Sequence, residues 1–150
     1  VLAALSHPAV SRVLAALLGA VFLYASVDKI AQPRDFARIV YHYGILGPSA
    51  AVGYLPANLF AVVLPWVEAL LGALLVLGLW RREAAVLAGA LLVVFLAAVG
   101  WALLRGIDIQ NCGCFSVSAA GRAGGWRLIA GDAVLLAVSA ALAVSPPTSR

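Results

Sequence analysis

Two cysteines stand one residue apart in the run Asn111-Cys112-Gly113-Cys114-Phe115, and the chain has no others. In an extended or turned tripeptide the outer Cα atoms lie roughly 5–7 Å apart, which overlaps the window of about 4.4–6.8 Å that a disulfide accepts. Gly113 gives the backbone the bent or left-handed conformations that so short a ring needs. Such a ring is strained, and strain makes a disulfide easier to reduce. A reducible disulfide suits electron exchange by thiol–disulfide chemistry. It is a poor staple, because a cross-link gains more by closing a long loop. Two other readings use the same residues. Paired thiolates suit soft ions such as Cu(I) or Hg(II), so a soft-metal carrier is one of them. Two cysteines alone cannot close a tetrahedral zinc site, no Met or further Cys continues a soft-metal path, and no metal ligands are assigned. In the other reading the pair merely pins a loop of a non-enzymatic subunit that docks a partner.

A second group of reactive side chains lies inside apolar runs. Glu68 falls nine residues into one such run and Asp132 six residues into another, while Asp28 and Lys29 close a third. An ionised group at the centre of a membrane span costs on the order of 3 kcal/mol, and such groups face the interior of a helix bundle and pair there. Lys29 is the sole lysine and the obvious counter-ion. These four residues are expected to form a buried polar cluster beneath the cysteines, either a structural ion pair or a group that handles protons and tunes the thiols. Asp28 and Lys29 also suit a helix end at the headgroups. Trp66, Trp101 and Trp126 read as interfacial belts or packing, with a flat-ligand pocket for a membrane quinone as the other use. His42 reads as a surface residue.

The elements that position these residues follow from hydropathy. Of 150 residues, 65% are hydrophobic and 11% charged, against about 25% charged in soluble domains. The mean hydropathy is +1.07. This composition describes an integral membrane protein, and the length predicts one bundle spanning 1–150. Four spans are expected at about 9–30, 59–80, 84–104 and 126–144. The third has twenty-one uncharged residues between Glu83 and Arg105, matching the roughly 20 needed to cross the hydrocarbon. Residues 33–48 place Phe36, Ile39, Val40 and Tyr43 at helical spacing among charged positions. That pattern predicts a short interfacial helix at about 34–46. Only Arg81 and Arg82 separate spans two and three, which makes them antiparallel neighbours. The fold expected is all-α: a four-transmembrane-helix up-down bundle with both termini on one face and the loop at 105–125 on the other. Val1 as first residue and the absence of Met lead to the expectation of a trimmed N-terminus.

The net charge of +4 reflects loop charges rather than nucleic-acid binding. The long-loop face carries six basic residues (Lys29, Arg34, Arg38, Arg105, Arg122 and Arg127) against four on the other (Arg12, Arg81, Arg82 and Arg150). That count favours long loops inside, whereas the tight Arg81-Arg82 turn favours the reverse, so charge leaves the orientation even. The Ala, Gly and Arg bias is that of a GC-rich bacterial genome. The expected location is a bacterial cytoplasmic membrane.

The run Leu23-Tyr24-Ala25-Ser26-Val27-Asp28-Lys29-Ile30 followed by Pro33 resembles the first helix of DoxX-like membrane proteins. Leu64-Pro65-Trp66-Val67-Glu68 with Gly72 is similar to their second helix, and Cys112-Gly113-Cys114-Phe115 resembles the motif of the MauE branch, the methylamine-utilisation type. The likeness runs from about residue 12 to residue 140 and departs at Ser116, where a Gly often follows the Phe. It implies a four-helix redox-associated membrane protein with Cys112 and Cys114 as the redox pair and Lys29 and Glu68 in support. It also implies a thioredoxin-like partner, or a substrate protein with a disulfide, and long loops that face outward. Asp28, Asp132, Trp66 and Phe115 are the accompanying candidates.

Overall fold

The computed structural model describes residues 7–42, 44, 54–106 and 125–144. Among them are five helices: α1 (Pro8–Ala31), α2 (Pro33–His42), α3 (Tyr54–Leu77), α4 (Arg81–Leu104) and α5 (Gly125–Val144). Three of these carry a stretch long and apolar enough to cross a membrane, at Pro8–Ala31, Asn58–Leu77 and Arg81–Leu104. The fourth long helix, α5, is apolar over the shorter stretch Ile129–Val144. The described residues are all-helical apart from turns, and the chain is a membrane protein.

Local chemistry sets the helix ends. Pro8 opens α1 at the first-turn position, where a missing N–H costs nothing. Pro33 disfavours helical conformation at the residue before it, so α1 stops at Ala31 and Pro33 itself starts α2. That helix ends at His42, short of the expected 46. The helix of the second span runs from Tyr54 to Leu77, with its membrane-crossing stretch at Asn58–Leu77; the start agrees with the expected 59, and the end falls short of 80. The stop comes from Gly78, whose φ is +71°; the Leu79 N–H then reaches back to the Leu74 carbonyl at 3.0 Å, as in a Schellman ending. The turn is therefore Gly78-Leu79-Trp80. Arg81 and Arg82, expected to form the turn, are instead the first residues of α4. Trp80 also has positive φ, at 43°, a strained conformation for a side-chain-bearing residue. The Ala84 N–H donates to its carbonyl at 2.8 Å, closing the first turn of α4.

The most extensively packed helix pairs are α1 with α3 and α4 with α5. The chain-adjacent pair α3 and α4 packs less extensively. Small residues explain the first two. A Cβ on Gly19 would lie 2.6 Å from the Gly72 carbonyl oxygen, and one on Gly72 would lie 2.8 Å from that of Gly19, so these backbones touch as small residues allow in membranes. In the second pair a Cβ on Gly89 would meet the Ser139 hydroxyl at 2.8 Å, and that hydroxyl donates to the Ala85 carbonyl. Contacts run in opposite order along each pair: residues 19 and 29 of α1 meet 72 and 68 of α3, and residues 82, 85 and 89 of α4 meet 143 and 139 of α5. Leu18, Phe22, Leu75, Ala88, Leu92 and Leu142 share the central core. Outer faces carry Val13, Leu17, Leu59, Val62, Leu70 and Leu87, the apolar exterior a lipid surrounding favours.

Candidate functional site

Lys29 lies in the last turn of α1, and its side chain is fully buried. Its ammonium donates to both carboxylate oxygens of Glu68, each at 2.7 Å. Glu68 is 2% exposed. The pair is thus two-pronged, buried, and carried by the two helices that the Gly19–Gly72 contact holds together. Phe36 of α2 and Phe95 of α4 place their ring centroids 5.3 and 5.1 Å from the same ammonium, within cation–π range. A lone buried ammonium would be prohibitively costly. Here the carboxylate and two ring faces replace its water.

The apolar face of α2 places one of those rings. Phe36 and Val40 are buried against Ala61 and Leu64 of α3. Ile39, the third residue expected on that face, is partly buried, and Tyr43 lies outside the described residues. The opposite face carries an exposed Arg38–Asp35 pair at 3.2 Å, and the Tyr41 hydroxyl donates to Asn58 at 2.6 Å. The short helix is clamped over the end of the bundle that holds Lys29.

Asp132 of α5 is 1% exposed. Together with Glu68 it faces a cavity of about 20 Å³, whose walls include Phe22, Ala25, Leu92 and Phe95. Of the four ionisable residues expected to cluster, Lys29, Glu68 and Asp132 come together. Asp28 is only half-buried. Trp66, with 61% of its surface exposed, lies on the outer side of α3 and does not join them. Trp101 is exposed as well and stacks under the Arg105 guanidinium at 4.6 Å, at the root of the segment that leads to the cysteines. Cys112, Cys114 and Phe115 lie outside the described residues, as does most of the loop 105–125. The side chain of Trp126 is not described either.

Three partners were not foreseen from sequence. Phe95 sits in an uninterrupted apolar run, where no periodicity marks one position over another. The Arg81 guanidinium donates to the Ser11 hydroxyl at 3.1 Å, and Arg82 donates to the Ala143 carbonyl at 3.0 Å. The second contact satisfies a carbonyl at the C-terminal end of α5, where a cation is also favoured by the helix dipole. Both arginines tie the α3–α4 turn to the start of α1 and the end of α5. The arginine pair at the start of α4 therefore has a structural use at the end of the bundle away from Lys29.

Comparison with known proteins places the chain in a family. The family model described as "Methylamine utilisation protein MauE" matches residues 7–145. A relative from Paracoccus denitrificans, named "Methylamine utilization protein MauE", is 32% identical over 145 residues, covering 97% of this chain and 74% of its own length. No solved structure matches. The wider DoxX-like likeness rests on the quoted residues alone.

Proposed function

The chain belongs to the MauE family, and from that premise we propose that it exchanges electrons through a Cys112–Cys114 dithiol/disulfide at one surface of a bacterial cytoplasmic membrane, in the service of methylamine utilisation. The observation that carries this reading is the Cys112-Gly113-Cys114 spacing within the segment joining α4 to α5. That segment leaves the bundle at the end holding the Lys29–Glu68 pair. Leu104 lies nine residues beyond Phe95, and Gly125 seven before Asp132. At about 1.5 Å per helical residue these are separations of roughly 10–14 Å. In this reading α5 is a fourth span, the four helices cross up and down, and the loop faces outward.

The exchange proceeds by two displacements. A thiolate of one cysteine attacks a sulfur of a partner disulfide; a mixed disulfide forms, and the partner's other sulfur leaves as a thiolate that takes up a proton. The second cysteine, as thiolate, then attacks the mixed bond and releases the partner as a dithiol. Cys112 and Cys114 end joined, and two electrons have passed to the partner. The reverse sequence reduces the pair. The partner is a thioredoxin-like protein or a substrate protein with a disulfide.

Nearby cations raise the thiolate fraction and hence the rate. Lys29 is committed to Glu68, so its contribution is to hold the end of the bundle from which the loop leaves, with Asp28 beside it in sequence; Phe115, next to Cys114, stays a supporting candidate on its sequence position alone. Arg105, at the root of the loop, is the better placed cation for thiol tuning. After the reverse sequence has reduced the pair, a membrane quinone is the proposed oxidant that takes its two electrons and two protons and restores the disulfide, but the Glu68–Asp132 cavity is far too small for its ring. A quinone would meet the loop at the rim of the bundle, with the exposed Trp101 and Trp66 faces as the aromatic surfaces on offer.

The deciding experiment combines single substitutions with a membrane-impermeant maleimide on intact cells. Thiol exchange predicts that either Cys112→Ser or Cys114→Ser accumulates a mixed disulfide with another protein, and that wild-type thiols become labelled only after reduction. Stoichiometric soft-metal binding by the reduced protein, lost in either variant, would favour a metal carrier instead. Full function of the double serine variant would favour a docking subunit.

A further inference from the structure

Glu68 and Asp132 come from different helices, are both almost wholly enclosed, and face one cavity. At about 20 Å³ it has room for a water molecule. Lys29 contacts both Glu68 oxygens and balances that charge. A second ionised carboxylate facing the same cavity would repel the first strongly, because low-dielectric surroundings screen little. One proton held between two neighbouring carboxylates removes that repulsion, and such a pair titrates as a unit.

We propose that Glu68 and Asp132 form a single proton-binding site within the membrane, in which one proton passes between the two carboxylates across the cavity. Among the described residues, the ionisable groups lining the cavity are Glu68 from α3 and Asp132 from α5, with Lys29 of α1 bound to Glu68. The described walls contributed by α4, Leu92 and Phe95, are uncharged, and α2 adds the ring of Phe36 over Lys29. The half-buried Asp28 is the other acid near this end of α1. The transfer breaks the acid O–H bond at Asp132 and makes one at Glu68, or the reverse, with no change of oxidation state. When the proton is on Glu68 the hold on Lys29 weakens, so the ion pair between α1 and α3 responds to proton occupancy. The inference goes beyond the thiol reading and is independent of it.

Infrared spectroscopy of the purified full chain in lipid nanodiscs at neutral pH tests it. Wild type should show the C=O stretch of a protonated carboxylic acid. Asp132→Asn and Glu68→Gln should each lose that band, since Lys29 balances the carboxylate that remains. Lys29→Met should roughly double it, and Asp28→Asn should leave it unchanged. Carboxyl-¹³C labelling of aspartate or glutamate in the wild-type chain should shift the band, which identifies the bearer even where a variant fails to fold. Absence of the band from wild type, its survival in both single variants, or its insensitivity to both labels would overturn the proposal. So would its loss on adding sodium at constant pH, which would put a metal cation where the proton is proposed.

Discussion

Lys29 and Glu68 are the residues on which the interior of the bundle turns. Removing one partner of a buried ion pair strands the other and costs about 3–5 kcal/mol, whereas removing both can be nearly neutral. Lys29→Met and Glu68→Gln should therefore each lower the thermal unfolding temperature in detergent markedly. The double variant Lys29→Met/Glu68→Leu should lose less than either, as a double-mutant cycle would show. Equal losses that simply add would mean the two side chains do not act as a pair. This pairing was legible beforehand because the chain has one lysine and because Glu68 lies too deep to reach the headgroups. The flanking rings were only half legible. Phe36 stood on a visible amphipathic face, but Phe95 was one apolar residue among many.

At the scale of elements, the helices recognise one another through absent side chains. Gly19 and Gly72 bring two backbones together, so Gly72→Ala forces a methyl to within 2.8 Å of a carbonyl oxygen. Such overpacking costs about 1–3 kcal/mol. Gly89→Ala meets only a serine hydroxyl, which can rotate away at the expense of its bond to the Ala85 carbonyl. Thermal melts should rank Gly72→Ala as the more damaging substitution; the opposite ranking would mean that the α1–α3 contact is not tight. A further expectation concerns α2. Replacing Phe36 with Ala removes both a buried ring and a cation–π partner, and should lower stability by about 3–5 kcal/mol. Replacing it with Leu should recover most of the packing but not the ring contact. Sequence placed α2 correctly as an amphipathic helix, yet overshot its end because Tyr43 continued the apolar spacing. Span two was carried past its end for a similar reason. Apolar character runs on through Leu79 and Trp80, while the left-handed Gly78 stops the helix.

For the whole molecule, the proposed up-down bundle makes a topological prediction. In a Cys112→Ser/Cys114→Ser background, Arg38→Cys on α2 and Arg105→Cys after α4 should label from the same side of the membrane, and Arg82→Cys from the other. Labelling of Arg38→Cys and Arg82→Cys from one side would remove the fourth crossing or reorder the spans. The all-helical, membrane-embedded character of the chain, the approximate helices and the buried acid–base residues follow from sequence alone, because hydropathy and the cost of charge in lipid act locally on each segment. Which helices lie against which was decided only by tertiary structure. In an apolar environment every long helix looks equally able to neighbour every other, and the choice falls to close contacts such as Gly19 on Gly72. The meeting of Glu68 and Asp132 in one cavity is likewise a property of three-dimensional packing, since residues sixty-four apart in the chain carry no local sign that they will share a space.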